Sequence, residues 1–251
     1  MRTFKVACGV LVFFVGMTCM AGRSMAAQAG GQSEQKLHKE ITKTVEIQYL
    51  LHLPKGYGQD KDKKWPLMLF LHGAGERGDD INKVKVHGPP KLIGQGKEMP
   101  FIVVSPQCPS ESWWTEQIDT LVALLDEIQA KYAVDTSRVY LTGLSMGGFG
   151  SWALGCRYPE RFAAVVPICG GGEWFRAERL KNVPVWVFHG AKDPVVPLRE
   201  SEEMVNALKR AGGNVQFTVY PEAQHDSWTE TYNNPKLYEW LLSQHKNGRD
   251  K

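Results

Sequence analysis

The stretch Val139-Tyr140-Leu141-Thr142-Gly143-Leu144-Ser145-Met146-Gly147-Gly148 constrains this chain more than any other. A short apolar, β-prone run enters a Gly-x-Ser-x-Gly pentapeptide, and a helix-capable segment, residues 149–158, leaves it. A serine on so sharp a strand-to-helix turn holds its Oγ clear of the sheet. Gly143 and Gly147, two residues to either side, lack the Cβ atoms that such a turn would crowd. The following helix aims its free N–H groups and positive dipole end at the serine, which suits an anionic intermediate. The bare pentapeptide also describes a glycine-rich turn in an ordinary strand–helix unit, so the rest of the chain has to decide.

The first residues read as an export signal. Arg2 and Lys5 precede an apolar run over 6–22, and Ser24-Met25-Ala26-Ala27-Gln28-Ala29 supplies a small-residue cleavage site after Ala29 or Ala26. The competing reading is an uncleaved membrane anchor. The expected organisation is a signal peptide over 1–29, a polar linker over 30–39, a catalytic domain over 40–245 and a solvated, disordered tail over 246–251. Loss of Arg2, Lys5 and Arg23 with the signal would bring 30 basic residues to 27 against 27 acidic ones. A neutral mature chain does not recommend nucleic acid or an acidic membrane surface as a partner. No stable membrane association is expected once the signal is gone, and the protein should be secreted or periplasmic.

Cys108, Cys156 and Cys169 would remain, either as one disulfide and a free thiol or as three buried thiols. With no Cys-x-x-Cys and no histidine cluster, neither a metal nor another cofactor is expected.

Apolar runs bounded by turn residues mark the strands: 44–53, 67–71, 101–105, 139–144, 162–168, 183–188 and 215–220. Helical spacing marks 116–132, 200–210 and 235–244, and Val86-His87-Gly88-Pro89-Pro90 reads as a loop. Strands alternating with helices predict an α/β protein with a mostly parallel central sheet covered on both faces. The loop His72-Gly73-Ala74-Gly75-Glu76-Arg77-Gly78 leaves a buried strand and could offer backbone N–H donors to a ligand. It matches Gly-x-Gly-x-x-Gly literally, but no acid-tipped second strand follows, so a dinucleotide site is disfavoured.

Such sheets bind ligands at the carboxyl ends of their strands. Ser145, Asp193 and His225 each fall in a loop after a separate predicted strand, in the order Ser, Asp, His. That order distinguishes the α/β-hydrolase arrangement from other serine triads. With Leu71-His72-Gly73-Ala74-Gly75-Glu76-Arg77-Gly78, the serine turn, His189-Gly190-Ala191-Lys192-Asp193-Pro194-Val195-Val196-Pro197 and the His225 loop, residues 44–244 resemble a secreted α/β-hydrolase. The likeness is to the small esterases related to feruloyl and acetylxylan esterases and to the phospholipase/carboxylesterase group.

The resemblance implies Ser145 as nucleophile, His225 as general base and acid, and Asp193 as its orienter, with backbone N–H groups of Ala74 and Met146 as the oxyanion hole. Donors of that kind are worth about 3 kcal/mol each. His72 and His189 adjoin strand ends before glycines and are expected to fix turns. Asp226 is too close to His225 in sequence to serve it.

Only residues 170–182 separate the strand after the nucleophile helix from the next, too few for a lid domain. An open, shallow cleft suits bulky or polymer-attached esters, with Trp113, Trp114 and Trp174 as aromatic walls. The reading is a serine carboxylesterase for short-acyl or aromatic esters, including polysaccharide-linked ones. The alternatives are a serine peptidase of prolyl-oligopeptidase type without its gating domain, and a non-enzymatic carbohydrate-binding or scaffold protein on the same fold.

Overall fold

The computed structural model describes residues 32–246; the expected signal peptide and residues 247–251 lie outside them. Residues 32–43 belong to a first unit, Met1–Lys43, and carry no helix or strand. The second unit, Thr44–Lys251, holds all the regular structure among the described residues. There, no helix is long and apolar enough to cross a membrane.

Seven strands form one sheet: β1 (Tyr49–His52), β2 (Trp65–Leu71), β3 (Ile102–Pro106), β4 (Val134–Leu144), β5 (Ala164–Ile168), β6 (Val185–Gly190) and β7 (Val215–Tyr220). Their spatial order is β1-β3-β2-β4-β5-β6-β7; only β1 runs antiparallel to its neighbour, and every other pairing is parallel. The helices are α1 (Gly88–Gly94), α2 (Ile118–Lys131), α3 (Met146–Arg157), α4 (Arg199–Arg210), α5 (Trp228–Asn233) and α6 (Pro235–Ser243).

Why the central strands read as unbroken apolar runs is clear from what covers them. In β2, Leu67, Leu69 and Leu71 join a core with Leu121, Leu125, Trp152 and Leu208, from α2, α3 and α4. Met68 and Phe70 point the opposite way, into a second core with Leu92, Trp228, Tyr232 and Leu241, from α1, α5 and α6. Alternate side chains leave a strand on opposite faces, so a strand sandwiched between helix layers must be apolar at every position. Each fully buried leucine contributes roughly 1.5–3 kcal/mol over leaving it exposed.

Several boundaries differ from the sequence reading. β1 has four residues rather than the ten expected. Its partner β3 has only five, and the pairing ends with the Gln107 N–H donating to the Gln48 carbonyl, so β1 runs out of sheet. The segment read as a loop over 86–90 opens α1, with Pro89 and Pro90 in the first turn, where a missing N–H costs nothing. Helix α5, which directly follows the His225 loop, was not expected. Between β5 and β6 lies only a 3-10 turn, Trp174–Leu180. Cys108, Cys156 and Cys169 are all buried free thiols.

Two glycines set the distances on which the site depends. A Cβ on Gly147 would overlap the Leu71 carbonyl, so the first turn of α3 packs directly against the end of β2. A Cβ on Gly190 would strike the carbonyls of Ala223 and Gln224, which brings the loop after β6 against the loop after β7. Gly147→Ala is therefore expected to cost about 3 kcal/mol or more, the upper range for overpacking against a backbone that cannot yield. Chemical denaturation of the variant beside the parent checks this, and unchanged stability would contradict the packing described.

Candidate active site

Ser145 sits between β4 and α3 with φ 53° and ψ −117°, a left-handed conformation that non-glycine residues avoid. Holding it there costs on the order of 1–3 kcal/mol. The surroundings hold it: its N–H donates to the Ile168 carbonyl at 2.9 Å, and its carbonyl accepts from Phe149 N–H at 3.1 Å. The reward is an Oγ standing at the carboxyl edge of the sheet, 3.0 Å from His225 Nε2.

His225 Nδ1 lies 2.7 Å from Asp193 Oδ2. A carboxylate only accepts, so Nδ1 carries the proton and Nε2 is free to take one from the serine. The Asp193 side chain is wholly buried. Burial pushes its carboxyl upward, but the bonds from His225 and from the Val196 and Val195 N–H groups outweigh that and leave it below the usual carboxylate value. Those two backbone bonds, 2.8 Å from Val195 and 2.9 Å from Val196, both go to Oδ1 and leave Oδ2 for the histidine. The structure thus brings Ser145, His225 and Asp193, from three separate loops, into one hydrogen-bonded chain.

Met146 and Ala74 are each the first residue of a helical turn, α3 and the 3-10 turn Ala74–Glu76. Their N–H groups therefore have no acceptor within their own turn. The two turns are neighbours: a Cβ placed on Gly73 would lie 3.7 Å from Ser145 Cβ.

Both strand-end histidines are fully buried. His72 Nε2 accepts from Cys108 N–H at 3.0 Å, so Nδ1 carries the proton and donates to the Gly73 carbonyl at 2.6 Å. Burial lowers its pKa to about 4, against the raising effect of that carbonyl. His189 does more than fix a turn. Its Nε2–H donates to the Val196 carbonyl at 2.9 Å and lies 3.3 Å from Asp193 Oδ2, while Nδ1 meets Ser201 Oγ at 2.7 Å. Burial lowers its pKa despite the Val196 carbonyl and the Asp193 charge. The neutral ring backs the loop that carries Asp193.

Of the three tryptophans expected to wall the cleft, Trp114 has to be corrected. It has no exposed surface, its Nε1–H donates to the His72 carbonyl, and its ring meets His72 edge-on at 5.0 Å, so it supports the loop from below. Trp113 is half-exposed under the Arg77 guanidinium, and Arg77 in turn donates to the Ala74 carbonyl, so this ring adjoins the Ala74 loop. Trp174 is exposed beside Phe175 and borders a depression with Glu203, Asn206 and Arg210 along α4. A larger cavity of about 500 Å³ runs beside α3 between Ile118, Phe149, Trp152 and Met204, with Arg157 and Arg176 at its polar side.

Sequence reasoning missed two residues at the triad. Trp228 stands edge-on to His225 at 5.2 Å. Cys169 has its sulfur within 4.8 Å of the nearest donor atoms of Asp193 and His225, and burial pushes the thiol up to about 12. The three-residue step from His225 to Trp228 was the available signal for the first; nothing in the sequence signals the second.

A model of the phospholipase/carboxylesterase family matches residues 97–236, a span that contains Ser145, Asp193 and His225. A probable feruloyl esterase C of Aspergillus terreus is 27% identical over 194 residues, covering 76% of this chain and 71% of that protein. A bifunctional acetylxylan esterase/xylanase of Neocallimastix patriciarum is 28% identical over 185 residues, 70% of this chain but only 26% of the relative. Among solved structures, a thermostable esterase superposes with a TM-score of 0.70 at 37% identity, covering 80% of this chain and 60% of that one.

The depressed His72 pKa has a measurable consequence. Its unfolded-state value is near 6.5 and its folded value about 4, so the unfolded chain binds the extra proton between them and stability falls as pH drops through that window. The loss from this residue is on the order of 3 kcal/mol. His189 acts in the same direction. Urea unfolding at pH 7 and pH 4.5 should show the drop, and His72→Gln, whose amide oxygen can still accept from Cys108 N–H, should reduce it. An equal drop in the variant would contradict the assignment.

Proposed function

Since the chain belongs to the phospholipase/carboxylesterase family of α/β-hydrolases, we propose that this esterase works through an acyl-enzyme on Ser145, with His225 and Asp193 completing the triad. The observation that carries the reading is the unbroken chain of hydrogen bonds from Ser145 Oγ through His225 to the buried Asp193.

The steps follow from the geometry. Ser145 Oγ attacks the ester carbonyl carbon as its proton passes to His225 Nε2. The resulting oxyanion is held by the N–H groups of Met146 and Ala74, and Asp193 stabilises the imidazolium. Collapse of the intermediate breaks the carbon–oxygen bond, and His225 returns the proton to the leaving alcohol. Water then attacks the acyl-serine with His225 as base, releasing the acid and restoring Ser145.

The substrates proposed are short-acyl or aromatic esters, including those attached to polysaccharide. Two relatives named for feruloyl and acetylxylan esters support this, as does the single 3-10 turn between β5 and β6, which leaves no large cover for a long acyl chain. Trp113, beside the Ala74 loop, is the proposed aromatic wall. The basic start, apolar run and small-residue site over residues 1–29 support an exported protein, secreted or periplasmic. The peptidase alternative draws support from shared fold alone.

The purified protein should hydrolyse p-nitrophenyl acetate and at least one of methyl ferulate and acetylated xylan, but not p-nitrophenyl palmitate. Ser145→Ala should lower kcat by about a thousandfold or more. Full activity in Ser145→Ala, or cleavage of a peptide amide with inert esters, would overturn the reading.

A further inference from the structure

The connection between β5 and β6 carries two neighbouring aromatic rings outward. Its 3-10 turn, Trp174–Leu180, is anchored by buried Ala177 and Leu180, and a Cβ on the preceding Gly172 would lie 3.2 Å from Met204 Cε of α4. Trp174 and Phe175 are left 54% and 57% exposed, with their rings edge-on at 5.9 Å. Single exposed apolar side chains are ordinary, whereas a group of large ones is informative. Beside Trp174, α4 contributes Glu203, Asn206 and Arg210, and the four residues line an open depression of about 320 Å³. Steps of three and four residues set those three side chains on one face of the helix. All three are exposed, and among the described residues none makes a side-chain hydrogen bond or an ion pair.

The chemistry of the depression selects its ligand. Glu203 only accepts hydrogen bonds, Arg210 only donates them, and Asn206 does both. Their charges cancel, so a polyanion would meet Glu203 and a polycation would meet Arg210. A lipid chain would leave all three polar groups without partners. The centre of a protein interface is depleted of charged residues, but here Arg176 lies 5.8 Å over the Phe175 ring and pairs with Glu173 at 2.7 Å. A sugar ring suits both halves of the patch. Its C–H face is apolar and lies flat on an indole, while each hydroxyl of its rim both donates and accepts. Glu203 and Arg210 stand about 10 Å apart along the helix axis, at 1.5 Å per residue, which is more than one ring spans.

We propose that Trp174, Glu203, Asn206 and Arg210 form a carbohydrate-binding site, separate from the triad, that holds two linked sugar rings of a neutral polysaccharide. Trp174 takes the apolar face of one ring, and the α4 side chains take hydroxyls of both. The site needs no ester bond and does not rest on the acyl-enzyme reading of Ser145. A polymer held there keeps its other residues at high local concentration around the protein.

Affinity electrophoresis in gels containing unsubstituted xylan, which has no ester to hydrolyse, reads binding separately from turnover. The parent should be retarded, and should remain so after a fluorophosphonate has blocked Ser145. Trp174→Ala should weaken binding about tenfold or more, the scale of losing an aromatic anchor. Asn206→Ala should weaken it about two- to tenfold, the scale of one hydrogen bond. Both side chains are exposed, and urea unfolding midpoints equal to the parent's verify that the variants are folded. Polygalacturonate, whose carboxylates meet Glu203, should not retard the parent; retardation equal to that in xylan would overturn the site. An unretarded parent, or retardation unchanged in both variants, would overturn it as well. Loss of binding on blocking Ser145, or in Trp113→Ala with Trp174→Ala unaffected, would put the sugar at the catalytic edge instead. A parent that ignores xylan and forms a dimer dissociated by Trp174→Ala would also contradict the proposal, because a second copy of the chain would then cover the patch.

Discussion

Everything at the catalytic edge depends on how closely the first turn of α3 approaches the end of β2. The Gly147 Cα lies so near the Leu71 carbonyl that no side chain fits between them. Because β4 pairs directly with β2 in parallel register, Gly143 beside Leu71, both strands end together. The serine turn and the loop carrying Ala74 therefore leave the sheet side by side. The strained backbone of Ser145 is sustained by that contact, by the Ile168 carbonyl that takes its N–H, and by the two apolar layers clamping the strands. A strain of a few kcal/mol is small against burial of the leucines of β2 alone.

Electrostatic organisation follows from the same edge. Asp193 would be an expensive charge to bury, yet two backbone N–H groups, His225 and the neighbouring His189 surround its carboxylate. Gly190 lets the loops after β6 and β7 meet, so Asp193 and His225 keep their distance without a long connecting segment. Ser145, His225 and Asp193 are thus positioned by hydrogen bonds that are already formed, the condition under which a polar site stabilises charge without reorganising.

The part of this arrangement legible in the sequence is the part that depends on local pattern. Apolar runs located β2, β3, the second half of β4, β5 and β6, where burial on both faces leaves little choice of residue, while the edge strands β1 and β7 are only partly buried. Glycine spacing located the serine turn, and chain order alone suggested its partners. What escaped depends on contacts between distant segments. Trp114 and its neighbour Trp113 look alike in sequence; the opposite exposures of their rings are decided by Gly150 and the His72 carbonyl, which enclose one of them. Pro89 and Pro90 suggested a loop, whereas proline in a first helical turn is equally compatible with α1. Glu203, Asn206 and Arg210 looked like three polar residues of one helix, and only the fold sets them beside Trp174.

A strained serine and a buried charge meet at this edge, and the proposed acyl-enzyme makes one prediction above others: ester turnover passes through a covalent bond to Ser145. The most direct measurement is intact-protein and peptide mass spectrometry after exposure to a fluorophosphonate, with residual esterase activity followed in parallel. The account predicts a single adduct on the peptide bearing Ser145, formed at the same rate as activity is lost. Full activity in protein completely labelled at Ser145, or loss of activity with the adduct elsewhere, would contradict it.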